Sequence, residues 1–203
     1  MCIRDSTPTP TDGEPIVIPT PTATPDAGGE DGNTFTTVIS QSKNDVEERG
    51  DTFFQHSADL DFDPETVVAL RYFVCLPGLA TITEASLTFT AADENINQAT
   101  AIQIYAEAAL EPVDFLKNPS IANRERTDAS VGWDLPVLGE DDLVATTPDI
   151  SPLLNELTDI YGHNGCGYVV LVLETTSGDQ NYVAFDADPA NAAVLTITYE
   201  VEG

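Results

Sequence analysis

Apolar residues recur along this chain in two patterns, continuous runs and strict alternation, and both are typical of β-strands. Residues 67–76 and 168–173 are nearly unbroken apolar runs, which indicate strands covered on both faces. Residues 82–90 alternate instead, so that Leu87 and Phe89 share one side, and we expect both to face a core. Two buried central strands and one half-buried strand therefore define the centre of the predicted fold.

The dipeptide Pro77-Gly78 lies between the first run and the alternating segment. Proline has no N–H to donate to a sheet and glycine tolerates the backbone angles of a reversal, so we predict that residues 70–90 form a hairpin. Arg71 interrupts the apolar run before the turn. Because an unpaired buried charge is strongly unfavourable, we expect an acidic partner for its guanidinium.

One helical segment and several further strand-like segments complete the pattern. Leucines and Ile160 recur at helical spacing in residues 151–161, with Pro152 early and Gly162 after the last turn, which predicts a short amphipathic helix. The remaining strand-like segments are residues 35–40, 101–108, 182–185 and 194–201. With about nine strands, the sequence predicts an all-β fold, a two-sheet antiparallel β-sandwich of the jelly-roll type with one short helix.

The N-terminal part of the chain has a different composition. Residues 7–33 consist mainly of Thr, Pro, Gly and acidic residues, so we predict a disordered linker over residues 1–33 and a β-sandwich module over residues 34–203. The first six residues, MCIRDS, resemble a translated sequencing-adaptor remnant, which would make the chain part of a longer polypeptide. The triplet Ile16-Val17-Ile18 is either a tolerated apolar stretch or a strand that adds to the sheet of another copy. We expect a monomeric module beside neighbouring domains.

The charge balance is strongly acidic. Lys and Arg number 7 against 35 Asp and Glu, which gives a formal net charge of −28. Such a chain repels nucleic acid, anionic membrane surfaces and bare polyanions unless a metal ion bridges the charges. The sequence has no apolar run long enough to span a bilayer, so we predict no membrane insertion.

Two cysteines lie in or next to the central apolar runs. Cys75 is near the end of the first run, and Cys166 comes just before the second. They either form one disulfide or are buried free thiols that act as small apolar residues.

The order of several motifs resembles the DNRLRE-type jelly rolls, which include carbohydrate-binding module family ninety-six. The resemblance begins with an Arg-aromatic strand, Pro-Gly and an A-x-L-x-F strand in residues 70–90, followed by TDASVGWDLP, residues 127–136. Later segments are similar to the family's short Asp-containing helix and its last three strands, although the final strand lacks the preceding proline: 149–161, 168–174, 183–186 and 194–199. The resemblance implies a jelly roll in a secreted or cell-surface bacterial protein that binds carbohydrate.

Acidic residues alternate with apolar ones in SADLDFDPE. A strand would place Asp59, Asp61 and Asp63 on one face, where either calcium relieves their repulsion or water solvates them. Pro64 stands where an EF-hand has its loop glycine, which excludes that motif. Two further clusters in predicted loops have oxygen ligands for calcium: Asp45, Glu47 and Glu48, and Asp93, Glu94 and Asn95.

Aromatic rings that stack on sugars are the usual anchors of carbohydrate-binding modules. We predict Tyr105, Tyr161 and Tyr182 as stacking residues, with Tyr168 as a further candidate. Trp133 is the only tryptophan. Apolar neighbours share its side of a strand, which favours a core position over an exposed platform.

Two arginines stand close together in this acidic chain. A guanidinium binds a carboxylate bidentately, so we predict that Arg124 and Arg126 contact a uronic acid of the ligand. Internal ion pairs are the alternative, because carboxylates are abundant.

The sequence contains no G-x-S-x-G, P-loop or H-E-x-x-H motif. We predict that the chain is not an enzyme. The alternative is a glycosidase or lyase that uses paired Asp and Glu side chains, because the separation that such a pair needs is spatial and not visible in the sequence. Our hypothesis is a carbohydrate-binding module of a larger secreted or cell-surface protein, with polysaccharide as its partner and calcium as its cofactor. The alternative is a structural or adhesive spacer without sugar binding, and an exposed aromatic cluster flanked by polar groups would distinguish the first from the second.

Overall fold

The computed structural model describes residues 33–78, 80–92, 98–117, 120–138, 143–162 and 165–201. These ranges contain twelve strands, a short 3-10 helix at Ser42–Asn44 and one α-helix, α1 (Ser151–Tyr161). The strands are β1 (Asn33–Val38), β2 (Asp45–Arg49), β3 (Thr52–Phe54), β4 (Asp59–Phe62), β5 (Thr66–Cys75), β6 (Ala80–Thr90), β7 (Thr100–Ala106), β8 (Val131–Leu135), β9 (Val144–Thr146), β10 (Cys166–Ser177), β11 (Gln180–Val183) and β12 (Val194–Val201).

Two antiparallel sheets pack face to face. One has six strands in the order β3-β2-β5-β10-β7-β8, and the other has four in the order β1-β12-β6-β9. A ribbon of β11 and β4 contacts both, since β4 touches β5 and a bridge joins Tyr182 of β11 to Ala91 at the end of β6. The predicted all-β sandwich with one short helix is confirmed.

The predicted hairpin over residues 70–90 is wrong. β5 belongs to the six-stranded sheet, where it pairs with β2 and β10, whereas β6 lies beside β12 in the four-stranded sheet. Tyr72 of β5 and Phe89 of β6 both point into the core, where they are 0% and 1% exposed. Each strand has an apolar face, and opposing the two faces buries both. The Pro77-Gly78 connection therefore carries the chain from one sheet to the other.

The central strands β5 and β10 are covered on both faces over the part of their length where the covering segment lies, as their apolar runs predict. Their inner side chains join the main core, and their outer ones, among them Ala69 and Val170, form a second buried cluster with Phe115 and Ile121. Phe115 and Ile121 lie on the long connection between β7 and β8. We call its described residues, 107–117 and 120–130, the covering segment, because they fold over part of the outer face of the six-stranded sheet.

The helix α1 has the predicted bounds. Gly162 follows it with φ of 70°, which costs glycine little, and donates its N–H to the Thr158 oxygen at 2.9 Å. The Asp149 carboxylate accepts the N–H of Ser151 and that of Ala85, each at 2.9 Å, which joins the first turn to β6. Ile160 is exposed, contrary to expectation, so the buried stripe of the helix stops at Leu157.

Candidate functional site

Two aromatic side chains lie together at an uncovered end of the six-stranded sheet. Phe73 of β5 and Tyr168 of β10 are register partners, and their ring centroids are 5.0 Å apart. They are 40% and 38% exposed, whereas their strand neighbours Val74 and Val169 are buried on the opposite side of the sheet. We call Phe73 and Tyr168 the aromatic pair.

The guanidinium of Arg71 packs against the ring of Tyr168. Its guanidinium carbon is 3.4 Å from the centroid of the Tyr168 ring, and the residue is only 8% exposed. Nε and Nη2 each donate to the main-chain oxygen of Pro112 at 3.2 Å, and Nη1 donates to Oδ1 of Asn44 at 3.4 Å. These direct contacts are carbonyl and amide oxygens and an aromatic face. An acidic group also lies within range of the guanidinium: burial raises the pKa of Asp114, but the N–H of Lys117 and the charges of Lys117, Lys43 and Arg71 lower it overall.

A cleft of about 330 Å³ opens beside Tyr168. Its walls are residues 109–111 of the covering segment, the C-terminal end of α1 and residues 165–169 of β10 and the preceding turn. Tyr161 Oη donates to the main-chain oxygen of Ala108 at 2.7 Å, which ties the end of α1 to the covering segment. Tyr161 and Tyr168, both predicted from the sequence, are thus brought to the same cleft.

A disulfide joins Cys75 to Cys166, which decides between the two alternatives for these cysteines. The two cysteines are register partners on β5 and β10, two residues from Phe73 and Tyr168 respectively. The bridge therefore fixes the relative position of the two strands at the end that carries the aromatic pair.

Two arginines hold the covering segment in place. The burial of Arg124 corrects its predicted role as a ligand of a uronic acid, whereas contact of the partly exposed Arg126 with a uronic acid stays a prediction. Arg124 is 5% exposed, and its Nη1 donates to Oε2 of Glu107 at 2.6 Å and to the main-chain oxygen of Val113 at 3.1 Å. Arg126 donates from Nη2 to Oε1 of Glu174 at 3.2 Å. In a chain this acidic, both guanidinium groups find carboxylates and carbonyls inside the fold, as the alternative interpretation stated.

Tyr182 lies in the core, which corrects its predicted stacking role. It is 0% exposed, and its hydroxyl donates to Oε1 of Gln180 at 2.7 Å. The ring packs against Phe62 and Phe89, with centroids 5.3 and 5.6 Å away, so neither ring face is accessible to a sugar. Trp133 packs beside the same phenylalanines and is 4% exposed, which confirms the core interpretation of that residue.

Tyr105 lies on the outer face of the six-stranded sheet but away from the cleft. It is half-buried, and its register partner on β10 is Val172. Val172 is four residues from Tyr168, which corresponds to about 13 Å along the strand. The aromatic pair and Tyr105 therefore do not form one surface, and a ligand contact by Tyr105 stays a prediction.

The three aspartates of the predicted calcium site share the exposed side of β4 and of the turn that follows it. Arg49 lies against them: its Nη2 donates to Oδ2 of Asp63 at 2.6 Å and to Oδ2 of Asp61 at 3.4 Å. Burial raises the pKa of Asp61, as do the charges of Asp63, Asp59 and Asp179, while the Arg49 charge lowers it. An ion pair thus offsets part of the repulsion for which the sequence suggested calcium.

A cleft of about 650 Å³ adjoins Arg49, Asp61 and Asp63, and Asp179 also lines it. Among the described residues, no group of three or more His, Cys, Asp or Glu side chains is arranged to hold a metal ion. Calcium binding stays a prediction.

The second predicted cluster, Asp45, Glu47 and Glu48, lies on a strand rather than a loop. Glu48 points outward and its Oε2 accepts the main-chain N–H of Ile121 and Ala122, at 2.6 and 2.8 Å. Asp45 and Glu47 point inward, are 5% and 3% exposed, and accept the main-chain N–H of Phe185 and Asp61. These carboxylates anchor neighbouring segments.

Burial controls the titration of the two inward carboxylates. It raises the pKa of Asp45 to about 6, with a contribution from the Asp186 charge and opposition from the hydrogen bond of Phe185. It raises the pKa of Glu47 to about 7, with a contribution from the Asp61 charge and opposition from the hydrogen bond of the Asp61 N–H. Both groups therefore retain protons above the usual range of carboxylic acids.

A serine, a histidine and an aspartate meet elsewhere on the surface. Ser42 Oγ is 2.7 Å from Nδ1 of His56 and 2.7 Å from Oδ2 of Asp186. The Asp186 Oδ2 atom is also 3.6 Å from His56 Nδ1, so the serine and the aspartate approach the same ring nitrogen. A catalytic relay requires serine and aspartate on opposite ring nitrogens, so this trio lacks that arrangement.

Several predictions concern residues outside the described ranges. These are the linker except for Asn33, which already belongs to β1, the triplet Ile16-Val17-Ile18, and the third acidic cluster, Asp93, Glu94 and Asn95.

Comparison with known proteins does not reveal what this chain binds. No protein-family model matches the chain, and no curated protein matches its sequence. Among solved structures, a xylan-binding module CBM15 is similar, with a TM-score of 0.39 and 13% sequence identity over 84% of this chain and 99% of that one. Similarity at this level carries no conclusion about the ligand. In the described part of the chain, no helix has the length and apolar character needed to cross a membrane.

Proposed function

We propose that this chain is a non-catalytic carbohydrate-binding module of a larger secreted or cell-surface bacterial protein, with Phe73 and Tyr168 as its sugar-stacking surface. The observation that carries the proposal is the aromatic pair: two exposed rings whose centroids are 5.0 Å apart, of which Tyr168 lines a cleft. The C–H faces of a sugar ring pack on aromatic rings, and sugar hydroxyls require polar groups around them. The cleft combines an aromatic ring, that of Tyr168, with polar groups such as those of Tyr161 and Glu111.

The aromatic pair is held in place before any ligand arrives. Arg71 occupies one face of Tyr168 and also bonds Pro112 of the covering segment. This one side chain therefore links β10 to the covering segment beside the cleft. The disulfide fixes the strands on the other side of the pair. Rings that are already ordered lose little conformational entropy on binding, which favours affinity.

The disulfide also supports the proposed location. Such bridges persist in oxidising surroundings and are rare in reducing ones. Cys75 and Cys166 therefore support a secreted or cell-surface protein.

Affinity gel electrophoresis of the chain against a panel of polysaccharides tests the proposal, followed by calorimetry on each polysaccharide that retards it. Tyr168→Ala should weaken binding by at least about tenfold, since an aromatic ring that the ligand buries typically contributes about 1.4 kcal/mol or more to the binding free energy. Phe54→Ala is the matched control, because it removes an aromatic ring that is 42% exposed on β3 of the same sheet. Tyr105→Ala tests the remaining predicted stacking residue separately. Retardation by no polysaccharide in the panel would favour the alternative, a structural or adhesive spacer.

A second variant adds bulk instead of removing it. A Cβ at Gly167 would meet no atom within 4 Å, and this glycine lines the cleft. Gly167→Leu should therefore narrow the cleft and reduce binding, and urea unfolding of the variant checks that the fold accommodates the larger side chain. Unchanged affinity in both Tyr168→Ala and Gly167→Leu would place the binding surface elsewhere.

Calcium assistance is the remaining part of the proposal. It predicts a melting temperature that rises with calcium and falls back with a chelator, an effect that Asp61→Asn combined with Asp63→Asn should remove. An equal melting temperature in calcium and in chelator would contradict this part alone.

A further inference from the structure

We infer that the ligand of the proposed site is an uncharged polysaccharide, and not one that carries carboxylates. The inference rests on the proposed function and adds the chemical class of the ligand. It follows from where the few cations of this chain lie and from the groups that the cleft presents.

The described residues include six Lys and Arg side chains, and for five of them the structure shows side-chain contacts within the protein. Lys43 is 3.7 Å from the carboxylate of Asp114. Lys117 is exposed, and its main-chain N–H bonds the same carboxylate at 3.0 Å. The four arginines bond groups of the fold: Arg49 with Asp63, Arg71 with Pro112, Arg124 with Glu107 and Arg126 with Glu174.

Arg71 is the cation closest to the aromatic pair, and its geometry leaves no fork for a ligand carboxylate. Its Nε and Nη2 both donate to the Pro112 oxygen, and the Tyr168 ring covers its carbon centre. With 8% of the residue exposed, a bidentate contact would require the covering segment to move away. The charge of Arg71 is therefore used within the fold, where it orders Tyr168 and the covering segment.

The remaining electrostatics of the cleft disfavour anions. Glu111 contributes a carboxylate to the lining, and the whole chain carries a formal net charge of −28. Placing like charges against one another reduces both affinity and association rate, most strongly at low salt. A glycan with a carboxylate on each sugar would meet this repulsion along its whole length.

The cleft also presents neutral hydrogen-bonding groups. Pairing between β7 and β10 reaches Val170, whose oxygen accepts the N–H of Glu107 at 2.9 Å. In an antiparallel strand, the main-chain groups two residues away point to the same side, so those of Tyr168 point past the end of β7 into the cleft. Gly165 and Gly167 place no side chain at this edge. A main-chain N–H and C=O that point to this edge suit the hydroxyl groups of a neutral sugar.

A matched pair of ligands tests the inference: polygalacturonate and a highly methyl-esterified form of the same polymer. Esterification removes the charge and leaves the sugar backbone unchanged. Both are measured by affinity electrophoresis beside a neutral β-glucan and a neutral xylan, at low salt, in one series with a chelator and in a second series with calcium. We expect at least one uncharged polymer to bind at least about tenfold more tightly than polygalacturonate, with binding lost in Tyr168→Ala and nearly independent of salt.

The outcomes separate this inference from the proposed function. Binding of polygalacturonate as tight as that of its ester, and lost in Tyr168→Ala, would overturn the inference and leave the proposed function in place. Binding of uronate polymers that requires calcium, and that Asp61→Asn abolishes, would also overturn it. Binding of no polysaccharide would overturn the proposed function, and the inference with it.

Discussion

Two aromatic clusters in this protein have similar composition and opposite roles. The buried cluster consists of Phe62, Phe89, Trp133 and Tyr182. The surface cluster is the aromatic pair, Phe73 and Tyr168. The buried rings come from strands of all three sheets, whereas the pair comes from adjacent strands of one sheet. Burial is thus decided by the layer that lies opposite. The inner face of the six-stranded sheet meets a second sheet, whereas among the described residues the covering segment lies over just part of its outer face.

The two clusters also differ in how their polar atoms are satisfied. The hydroxyl of Tyr182 donates to the side chain of Gln180, whose Nε2 donates in turn to the main-chain oxygen of Pro136 at 3.1 Å. Tyr168 instead rests on the guanidinium of Arg71. The first arrangement suits a dry core, where each polar group needs a fixed partner, and the second leaves one ring face available to a ligand.

The test with the largest expected effect replaces one phenylalanine in each cluster by alanine. Phe62→Ala should lower the free energy of unfolding by about 3–5 kcal/mol, because it opens a cavity in the core. Phe73→Ala should lower it by about 1 kcal/mol or less, since the ring is 40% exposed. Urea unfolding measures both. Equal losses would show that the aromatic pair is part of the structural core.

Loss of the disulfide should have a smaller but clear effect. Cys75→Ser combined with Cys166→Ser removes a cross-link between residues 91 apart in the sequence. The free energy of unfolding should fall by about 2–4 kcal/mol, because the unfolded chain gains conformational entropy. Binding at the aromatic pair should weaken as well, whereas near-ultraviolet circular dichroism of the core aromatics should persist. Unchanged affinity in the folded double variant would mean that Arg71 alone orders the pair.

The pH dependence of stability should follow the inward carboxylates on the core side of β2. Their pKa is raised on folding, to about 6 for Asp45 and about 7 for Glu47, so their contribution is fully present below the pKa of the unfolded chain. It is lost as the pH rises through the folded values. We expect the free energy of unfolding to fall by about 1–3 kcal/mol between about pH 5 and pH 8. Denaturant melts of the wild type and of Glu47→Gln across this interval measure the fall, which should be smaller in the variant; equal falls would contradict the assignment.

The smallest effects come from removing one hydroxyl in each environment. Tyr182→Phe leaves the buried Oε1 of Gln180 without its donor and should cost about 1–3 kcal/mol. Tyr161→Phe removes the bond to the Ala108 oxygen at the half-buried end of α1 and should cost about 0.5–1.5 kcal/mol. Urea unfolding of the two variants gives the order. A larger loss for Tyr161→Phe would show that the junction of α1 and the covering segment is more important for stability than the core network.

The sequence predicted the candidate site only in part, and the residues show why. Tyr161 and Tyr168 are candidates from the sequence because a tyrosine ring can stack on a sugar, and both line the cleft. Phe73 was missed because a continuous apolar run gives no indication of which members stay uncovered. Tyr182 was misplaced for a related reason: alternation shows that residues share a side, but the ribbon of β11 and β4 decides which side is buried.

What the sequence by itself determined is the local architecture. Apolar periodicity specified the central strands and the helix, and with them the all-β class, because period and turn chemistry are properties of neighbouring residues. The tertiary structure alone decided that β5 and β6 belong to opposite sheets, that Cys75 meets Cys166, and that Arg124 bonds Glu107 inside the fold. Each of these depends on segments far apart in the chain, whose pairing is set by the burial of whole faces and has no local pattern to reveal it.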